Sequence, residues 1–394
     1  MKAVSAAFFL AWRYVLRHGW QSLLLSLALG MVLALPLAVR LLVRAAETEM
    51  RARALSTPAL LGRPGSAADL LLGALYFSQL DLATLPFGEV ATLRETDLGQ
   101  PIPLHLHFKA QKAPIIGTTL DYFDFRHLRI AEGRPLTRLG DCVIGARIAK
   151  QQGLHPGDSL FSSPDQLFDM AGTYPLKMHV RGILAETGTP DDDAIFVDLK
   201  TVWVIEGHAH GHDDLQTAPD ATVLKREDGN VVGNAAVRMF QEITDANIAS
   251  FHLHGDTAEL PISAILFAPN DEKAATLLAG RFVNGKGTLQ FIRPVEELDR
   301  LLKTLFRFES LALGTLALTG VAALGIATLV FALSFRMRRR EFATLEDIGI
   351  PCISLTLVKT IEILLIGTGA LILATLILLT VQTFATHLIL LTLR

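Results

Sequence analysis

The chain has little cysteine and no excess of positive charge. Its 394 residues include two cysteines, Cys142 and Cys352, which excludes a framework of several disulfide bonds. The formal net charge is −3 at pH 7, without the basic excess that is typical of nucleic-acid-binding proteins. We therefore expect neither a disulfide-stapled domain nor a nucleic-acid partner.

The chain also lacks the motifs of common hydrolases and nucleotide-binding enzymes. Neither G-x-S-x-G nor H-E-x-x-H occurs in it. Residues 280–287 match the start of a P-loop, but Gly287 stands where Ser or Thr is needed to hold Mg²⁺. We interpret this segment as a helix end followed by a turn. The chain is thus predicted not to be an enzyme and not to contain an ATPase site of its own.

The most prominent feature of the sequence is its long hydrophobic segments. Hydrophobic residues make up 51% of the chain and charged residues 19%, which is typical of a membrane protein with a large water-soluble domain. Three apolar segments, 19–44, 309–335 and 361–385, are long enough to cross a membrane, because a helix of about 20 residues spans a hydrocarbon core of about 30 Å. They are predicted to be transmembrane helices.

Four arginines set the predicted topology. Arg336, Arg338, Arg339 and Arg340 lie between the second and third apolar segments, and positive charge collects on the cytoplasmic side. The predicted segments are a cytoplasmic amphipathic helix (1–18), transmembrane helix 1 (19–44), a periplasmic domain (45–308), transmembrane helix 2 (309–335), a cytoplasmic coupling loop and helix (336–360), transmembrane helix 3 (361–385) and a short external tail (386–394). The two cysteines then lie on opposite sides of the membrane.

Strand and helix periods alternate within the periplasmic segment and predict a mixed fold. The predicted strands are 88–93, 102–109, 142–144, 262–267 and 288–292. The predicted helices are 146–152, 271–282 and 295–306, together with a helical region at 45–79 that is broken near Pro58 and Pro64. We expect an α/β lobe built from two halves of the segment, with a β-rich lobe inserted between them.

Two blocks of sequence resemble the MacB/LolC/FtsX-like ABC transporter permeases. The coupling segment contains Arg340, Glu341, Leu345, Ile348 and Gly349, in the order R-E-x-x-x-L-x-x-x-G, followed by a helix start near Ile361 and Glu362. The periplasmic segment contains E-G-R at 132–134, V-I-G-A at 143–146, G-D-S-L at 157–160 and V-R-G-I-L at 180–184. These blocks occur in the same order as in that superfamily.

The resemblance implies an α+β membrane protein with transmembrane helices and a large periplasmic α/β-and-β domain of the MacB type. It also implies a permease subunit, dimeric in a bacterial inner membrane, whose cytoplasmic helix transmits motion from a separate ATPase. Arg340, Glu341, Leu345, Ile348 and Gly349 would then contact the ATPase. Members of the superfamily usually have four spanning helices, so the fourth is either absent here or supplied by another subunit. The resemblance does not decide the purpose of the motion, which could be export of a substrate, extraction of a lipoprotein or regulation of a periplasmic partner.

Histidines form a second candidate site in the periplasmic segment. His208, His210 and His212 are followed by Asp213 and Asp214, and such donors suit Zn²⁺. Because nothing in the spacing enforces a closed site, we expect weak, reversible binding or a solvated loop. The histidines at 105 and 107 are interpreted as surface residues, and those at 252 and 254 stay ambiguous.

Two further interpretations concern acidic residues. The run Asp191, Asp192 and Asp193 is expected to be a solvated turn. Glu362 is either a functional buried carboxylate at the start of a membrane helix or, as we expect, a residue at the membrane interface near Lys359. Two alternative functions remain beside the permease: a zinc-responsive membrane receptor and a structural membrane anchor. Co-purification with a P-loop ATPase would distinguish the permease from both alternatives.

Overall fold

The computed structural model describes residues 2–78, 81–163, 175–211, 223–227, 230–233, 242–253, 255–282 and 288–392. The helices are α1 Lys2–Arg17, α2 Gly19–Leu55, α3 Ala67–Tyr76, α4 Gly88–Arg94, α5 Leu120–Phe125, α6 Ala146–Gln152, α7 Leu199–Ile205, α8 Glu272–Phe282, α9 Pro294–Met337, α10 Arg339–Asp347 and α11 Cys352–Thr392. The strands are β1 Ala59–Gly62, β2 Leu85–Pro86, β3 Gly99–Ala110, β4 Ala113–Thr118, β5 Ile130–Gly133, β6 Asp141–Ile144, β7 Ser159–Phe161, β8 Lys177–Leu184, β9 Ile195–Asp198, β10 Ala209–His210, β11 Val223–Glu227, β12 Asn230–Gly233, β13 His252–Leu253, β14 Pro261–Ile262, β15 Ala264–Pro269 and β16 Gln290–Ile292.

The chain divides into two compact units. The first, here called the helical unit, comprises Met1–Glu49 and Leu302–Arg394, and the second, here called the sheet unit, comprises Met50–Leu301. Among the described residues, three helices are long and apolar enough to cross a membrane: Gly19–Leu55, Leu313–Met337 and Cys352–Phe384. This agrees with the number of spans predicted from hydropathy.

Two predicted helix boundaries were wrong. The third spanning helix begins at Cys352, directly after Pro351, and not near Ile361. The helix predicted at 295–306 is the first part of α9, which continues without interruption to Met337. A proline before the first turn does not disturb a helix, since that turn needs no backbone donor. Residues 352–360 can therefore be helical although they are more polar than the segment that follows.

Small residues allow α2 to approach α11 closely. Ser26, Gly30, Ala34 and Ala38 recur every fourth residue of α2, and Ser26, Ala34 and Ala38 are buried. The hydroxyl of Ser26 donates a hydrogen bond to the Ile366 carbonyl oxygen at 3.1 Å. Small residues at this spacing pack membrane helices together through van der Waals contact.

Ten strands of the described chain form one mixed sheet in the sheet unit. The order is β16-β1-β15-β3-β4-β9-β6-β8-β5, with β7 paired to β8. The pairs β4–β9 and β6–β8 are parallel and the other pairs are antiparallel. One hydrophobic core includes Leu61, Trp203, Ile265 and Phe267, and the other includes Ile115, Ile144, Val180 and Val197. The first and last parts of the sheet unit thus share one core.

The predictions for individual elements had mixed outcomes. The strand predicted at 102–109 and the helix predicted at 146–152 are confirmed by β3 and α6. The strand predicted at 88–93 is wrong, because these residues form α4 and bury Val90 and Leu93, which are three residues apart as on one helix face. The region predicted to be helical before Tyr76 contains strand β1 at Ala59–Gly62, where all four residues are buried. Helix α8 ends at Phe282, and 283–287 lie outside the described residues.

Two glycines of the periplasmic sequence blocks face each other across β5 and β8. Gly133 pairs with Gly182 in the antiparallel register. Gly133 has a φ of +83°, and a Cβ there would lie 2.1 Å from the Arg181 carbonyl oxygen. A Cβ on Gly182 would lie 2.5 Å from the Arg134 carbonyl oxygen. Both motifs therefore carry glycine because the two backbones approach too closely for a side chain.

Candidate functional site

The predicted ATPase-coupling residues lie on or directly after α10. Arg340, Glu341 and Leu345 belong to the helix, Ile348 follows its last turn, and Gly349 has a φ of +94°. The amide of Gly349 donates to the Glu346 carbonyl oxygen at 2.9 Å, and the amide of Ile350 donates to that of Leu345 at 3.1 Å. The left-handed residue thus ends the helix and satisfies its last carbonyl groups.

One face of α10 is buried and another is open. Phe342 is 7% exposed, whereas Ile348 is 73% exposed and the side chain of Glu341 is 69% exposed. Leu345 is half-buried. Since residues three and four apart lie on one side of a helix, Glu341, Leu345 and Ile348 form a continuous stripe beside the buried Phe342. We call this stripe the coupling face.

Arg338 fixes the start of α10. Its Nη1 donates to a Glu362 carboxylate oxygen at 2.8 Å, and its Nε donates to Glu341 at 3.3 Å. The guanidinium carbon lies 3.4 Å from the centre of the Tyr14 ring and 4.8 Å from that of Phe342. Arginine between aromatic faces and carboxylates is held in one geometry. Arg338 thereby connects α9, α10, α11 and α1.

This cluster shows that Glu362 is buried, as in one of the two interpretations from the sequence. Glu362 is 2% exposed and pairs with Arg338, not with Lys359. Lys359 instead places its ammonium 4.6 Å from the centre of the Phe342 ring. A carboxylate buried at the end of a membrane helix needs such a partner. In the sequence analysis, Arg338 was only one of four positive charges that set the topology. The one sequence feature that suggested an ion pair here was the carboxylate of Glu362 at the start of an apolar helix.

A second buried charge pair lies inside the sheet unit. Arg53, in the last turn of α2, donates to both carboxylate oxygens of Asp191 at 2.6 and 3.0 Å. The hydroxyl of Tyr122 donates to Asp191 at 2.7 Å, and the Arg53 guanidinium lies 5.5 Å from the centre of the Phe77 ring. Arg53 also donates to the Leu75 carbonyl oxygen. The end of α2 is thus bonded into the core around Asp191.

The prediction that Asp191–Asp193 form a solvated turn was wrong. Asp191 and Asp192 are 1% and 0% exposed. Burial alone would raise the pKa of Asp191, but the charge of Arg53 and hydrogen bonds from Arg53 and Tyr122 lower that pKa to about 2. Burial also raises the pKa of Tyr122, and the neighbouring negative charge of Asp191 adds to this effect. At neutral pH the cluster therefore holds a carboxylate, a guanidinium and a neutral phenol.

His105 is a core residue and not the predicted surface residue. It is fully buried, with Nδ1 3.2 Å from the Ser263 hydroxyl and Nε2 2.9 Å from a Glu206 oxygen. Serine, histidine and glutamate are also the residue types of a hydrolytic triad, but Ser263 is 1% exposed and accepts a hydrogen bond from the Leu106 amide at 2.9 Å. A substrate cannot reach a nucleophile in that position, so we interpret the arrangement as a polar link within the sheet unit.

The structure describes only part of the predicted metal site. His208 lies 3.6 Å from Glu206, and His210 faces His252 across the β10–β13 pair with ring centres 5.4 Å apart. His212 and Asp213, like Asp214 and His254, lie outside the described residues. No group of three or more metal-ligating side chains occurs among the residues that are described. Zinc binding by His208, His210, His212 and Asp213 therefore stays a prediction.

Comparison with known families identifies the chain. A sequence-family model for the MacB-like periplasmic core domain matches residues 42–245, slightly more than half of the chain. The chain belongs to this family. It is thus a member of the MacB/FtsX-like ABC transporter permeases, with apolar membrane-spanning helices and a mixed α/β periplasmic domain. Members of this family are permease subunits that are generally not enzymes themselves, and the family implies an ATP-binding partner.

Three solved structures with detectable similarity to this chain are as follows. The periplasmic region of MacB from Actinobacillus actinomycetemcomitans matches at 13% identity with a TM-score of 0.33, over 64% of this chain and 94% of that one. The extracellular domain of the noncanonic ABC-type transporter YknZ from Gram-positive bacteria matches at 14% identity with a TM-score of 0.32, over 59% and 98%. A domain of a putative permease protein from Porphyromonas gingivalis matches at 10% identity with a TM-score of 0.26, over 59% and 84%. No curated protein sequence matches significantly.

A titration with zinc tests the histidine prediction for this permease. We expect purified chain to bind zinc reversibly, and the variant with alanine at His208, His210 and His212 to bind it much more weakly. Alanine at His155, an exposed histidine paired with Asp158, serves as the control and should leave the titration unchanged. Binding should weaken below about pH 6.5, where free imidazole gains a proton. Identical calorimetric titrations of the triple variant and the parent chain would contradict the prediction.

Proposed function

We propose that this chain is the membrane subunit of an ABC-type complex that transmits motion from a separate ATPase to its own periplasmic domain. The complex would be a homodimer of this chain in a bacterial inner membrane, joined to the ATPase on the cytoplasmic side. The purpose would be the export or extraction of a substrate, or the control of a periplasmic partner. The observation that carries the proposal is the coupling face, an open stripe on a short helix whose start is fixed by Arg338.

The position of α10 in the helical unit supports a role in coupling. The helix follows α9 directly and is separated from α11 only by residues 348–351. A protein that presses on the coupling face would push on a helix whose first turn is bonded to Arg338 and, through Arg338, to Glu362 of α11. A buried, charge-assisted contact of this kind transmits displacement because it does not rearrange easily. We infer that α10 and α11 move together.

The close contact of α2 with α11 extends this path within the helical unit. Gly30 lies so near α11 that a Cβ on it would be 2.9 Å from the Ala370 carbonyl oxygen. Helices in such contact cannot slide independently without losing the packing that holds them. Helix α2 continues to Leu55 and α9 begins at Pro294. These two helices are therefore continuous with the first and last residues of the periplasmic domain, and their movement would act on the domain at both ends of its chain.

Replacing Leu345 with aspartate tests the coupling face. The variant should insert into the membrane normally but lose most of the co-purifying P-loop ATPase, by about tenfold or more, because an unpaired carboxylate would enter the contact. Ala343→Asp is the matched control: it adds the same charge to an exposed position on another side of α10 and should retain the partner. Equal recovery of the ATPase from Leu345→Asp and from the parent chain, with ATP hydrolysis still coupled to function, would reject the proposal.

A further inference from the structure

A cavity of about 530 Å³ lies within the helical unit, where the apolar spans meet the arginine cluster. Its apolar part is lined by Leu25 of α2, by Val330 and Leu333 of α9 and by Ile366 of α11. Val330 and Leu333 are 46% and 59% exposed, so this wall is open to whatever surrounds the spans. In a membrane that surrounding is lipid.

The other end of the cavity is polar. It is lined by Tyr14, Gln21, Ser334, Arg338 and Glu341. The Tyr14 hydroxyl, the Gln21 amide and the Ser334 hydroxyl make no hydrogen bond to any residue in the described parts of the chain. Polar groups at the edge of a bilayer are costly when unsatisfied. The occupant of this end should therefore offer several hydrogen-bond acceptors.

The charges at the polar end favour a zwitterion over an anion. One cation, Arg338, lies between two carboxylates, those of Glu341 and Glu362. Of the described residues that line the cavity, Arg338 is the one arginine or lysine, and it already donates hydrogen bonds to both carboxylates, so its charge is balanced before a headgroup whose only charge is a phosphate could enter. Glu341 is the more exposed carboxylate, and it can accept hydrogen bonds from a primary ammonium group. A quaternary ammonium group has no hydrogen to donate.

We propose that this cavity binds one phospholipid with an ethanolamine headgroup from the cytoplasmic leaflet. The phosphodiester oxygens accept hydrogen bonds from the groups of Tyr14, Gln21 and Ser334, and the ammonium group binds Glu341. An acyl chain lies along Leu25, Val330 and Leu333. The site shares Glu341 with the coupling face, but Leu345 and Ile348 do not line it, its ligand is a lipid and not a protein, and it does not require an ATPase.

Native mass spectrometry of the purified, delipidated chain without any ATPase tests this site. The chain is mixed separately with phosphatidylethanolamine, phosphatidylcholine and phosphatidylglycerol that carry identical acyl chains. We expect one bound phosphatidylethanolamine per chain and clearly weaker retention of the other two lipids. Equal retention of all three would show ordinary surrounding lipid and would overturn the proposal. The proposal would also be overturned if the chain formed a dimer that retained no phosphatidylethanolamine after the lipid was added. In that case a second copy of the chain, and not a lipid, would occupy the cavity.

Two variants assign the binding to the cavity. Ser334→Leu fills it and should abolish the specific adduct, whereas Ala332→Leu adds similar bulk to an exposed position on another side of α9 and should not. Glu341→Gln removes one charged hydrogen-bond acceptor and should lower the affinity for phosphatidylethanolamine about tenfold while leaving phosphatidylcholine unchanged. Unaltered lipid selectivity in both Ser334→Leu and Glu341→Gln would contradict the assignment. Because no ATPase is present, failure here leaves the proposed coupling function untouched.

Discussion

Replacing Arg53 with methionine is expected to lower the thermal midpoint of the periplasmic domain by about 10 °C. The substitution leaves the Asp191 carboxylate buried without its cation, and breaking a buried pair in this way costs about 3–5 kcal/mol. Trp203 is 1% exposed and is the one tryptophan of the chain in the sheet unit, so its fluorescence reports the unfolding of that unit once Trp12 and Trp20 are replaced by phenylalanine. The measurement is a thermal scan of the full chain in detergent.

A neighbouring arginine provides the matched control. Arg51 lies on the same helix and pairs with Asp299 at 2.6 Å, but both side chains are partly exposed, at 43% and 38%. Arg51→Met should cost no more than about 1 kcal/mol, because exposed ion pairs are screened by water. Adding Asp191→Leu to Arg53→Met should recover part of the lost stability, since it removes the orphaned charge. Equal effects of Arg51→Met and Arg53→Met would contradict the argument from burial.

The same pair predicts a dependence on pH. The pKa of Asp191 is about 2 in the folded chain, below its usual value near 3.8. A depressed carboxyl pKa stabilises the folded state above the unfolded pKa, and this stabilisation is lost as the pH falls through the folded pKa. The advantage of the parent chain over Asp191→Asn should therefore be constant, at about 2 kcal/mol, above pH 5 and should disappear between pH 4 and pH 2.

Features encoded by neighbouring residues were predictable from the sequence. The three spans, strand β3 and helix α6 follow from uninterrupted apolar runs, from alternation and from helical spacing. Helix α4 was missed because the segment Gly88–Arg94 is short enough to fit either period. The spacing of its two buried residues, Val90 and Leu93, distinguishes a helix from a strand only when it is known that these two side chains face the core.

Features that depend on distant partners could not be predicted in the same way. The acidic run at 191–193 looks like a solvated turn until Arg53, which is 138 residues away in sequence, is placed beside it. The residues predicted to contact the ATPase were selected because their order resembles that of a family. Arg338 was not selected, although it fixes the start of the helix that carries them. A contact between two buried charges that are far apart in sequence leaves no periodic pattern in the residues around either one. They become visible only in the folded structure.

The motif glycine at position 133 leads to the other large expected effect. Gly133→Ala should destabilise the periplasmic domain by more than about 4 kcal/mol, or prevent accumulation of the folded chain, because two costs combine. The backbone is left-handed there, with a φ of +83°, and the added Cβ would lie 2.1 Å from the Arg181 carbonyl oxygen. That oxygen belongs to the neighbouring strand, so a side chain cannot simply rotate away to relieve the clash. The measurement is again the Trp203 thermal midpoint, together with the yield of membrane-inserted chain.

Gly153→Ala separates the two costs. Gly153 ends α6 with a φ of +65°, but nothing lies within 4 Å of the Cβ that alanine would add. This variant should therefore show backbone strain alone, about 1 kcal/mol, or a shift of a few degrees. If the two alanine variants lose similar stability, the close approach of β5 to β8 is not what requires glycine at position 133. If only Gly133→Ala is severely affected, the E-G-R block of this family is a requirement of strand packing, and its presence in a sequence indicates the fold and not a binding site.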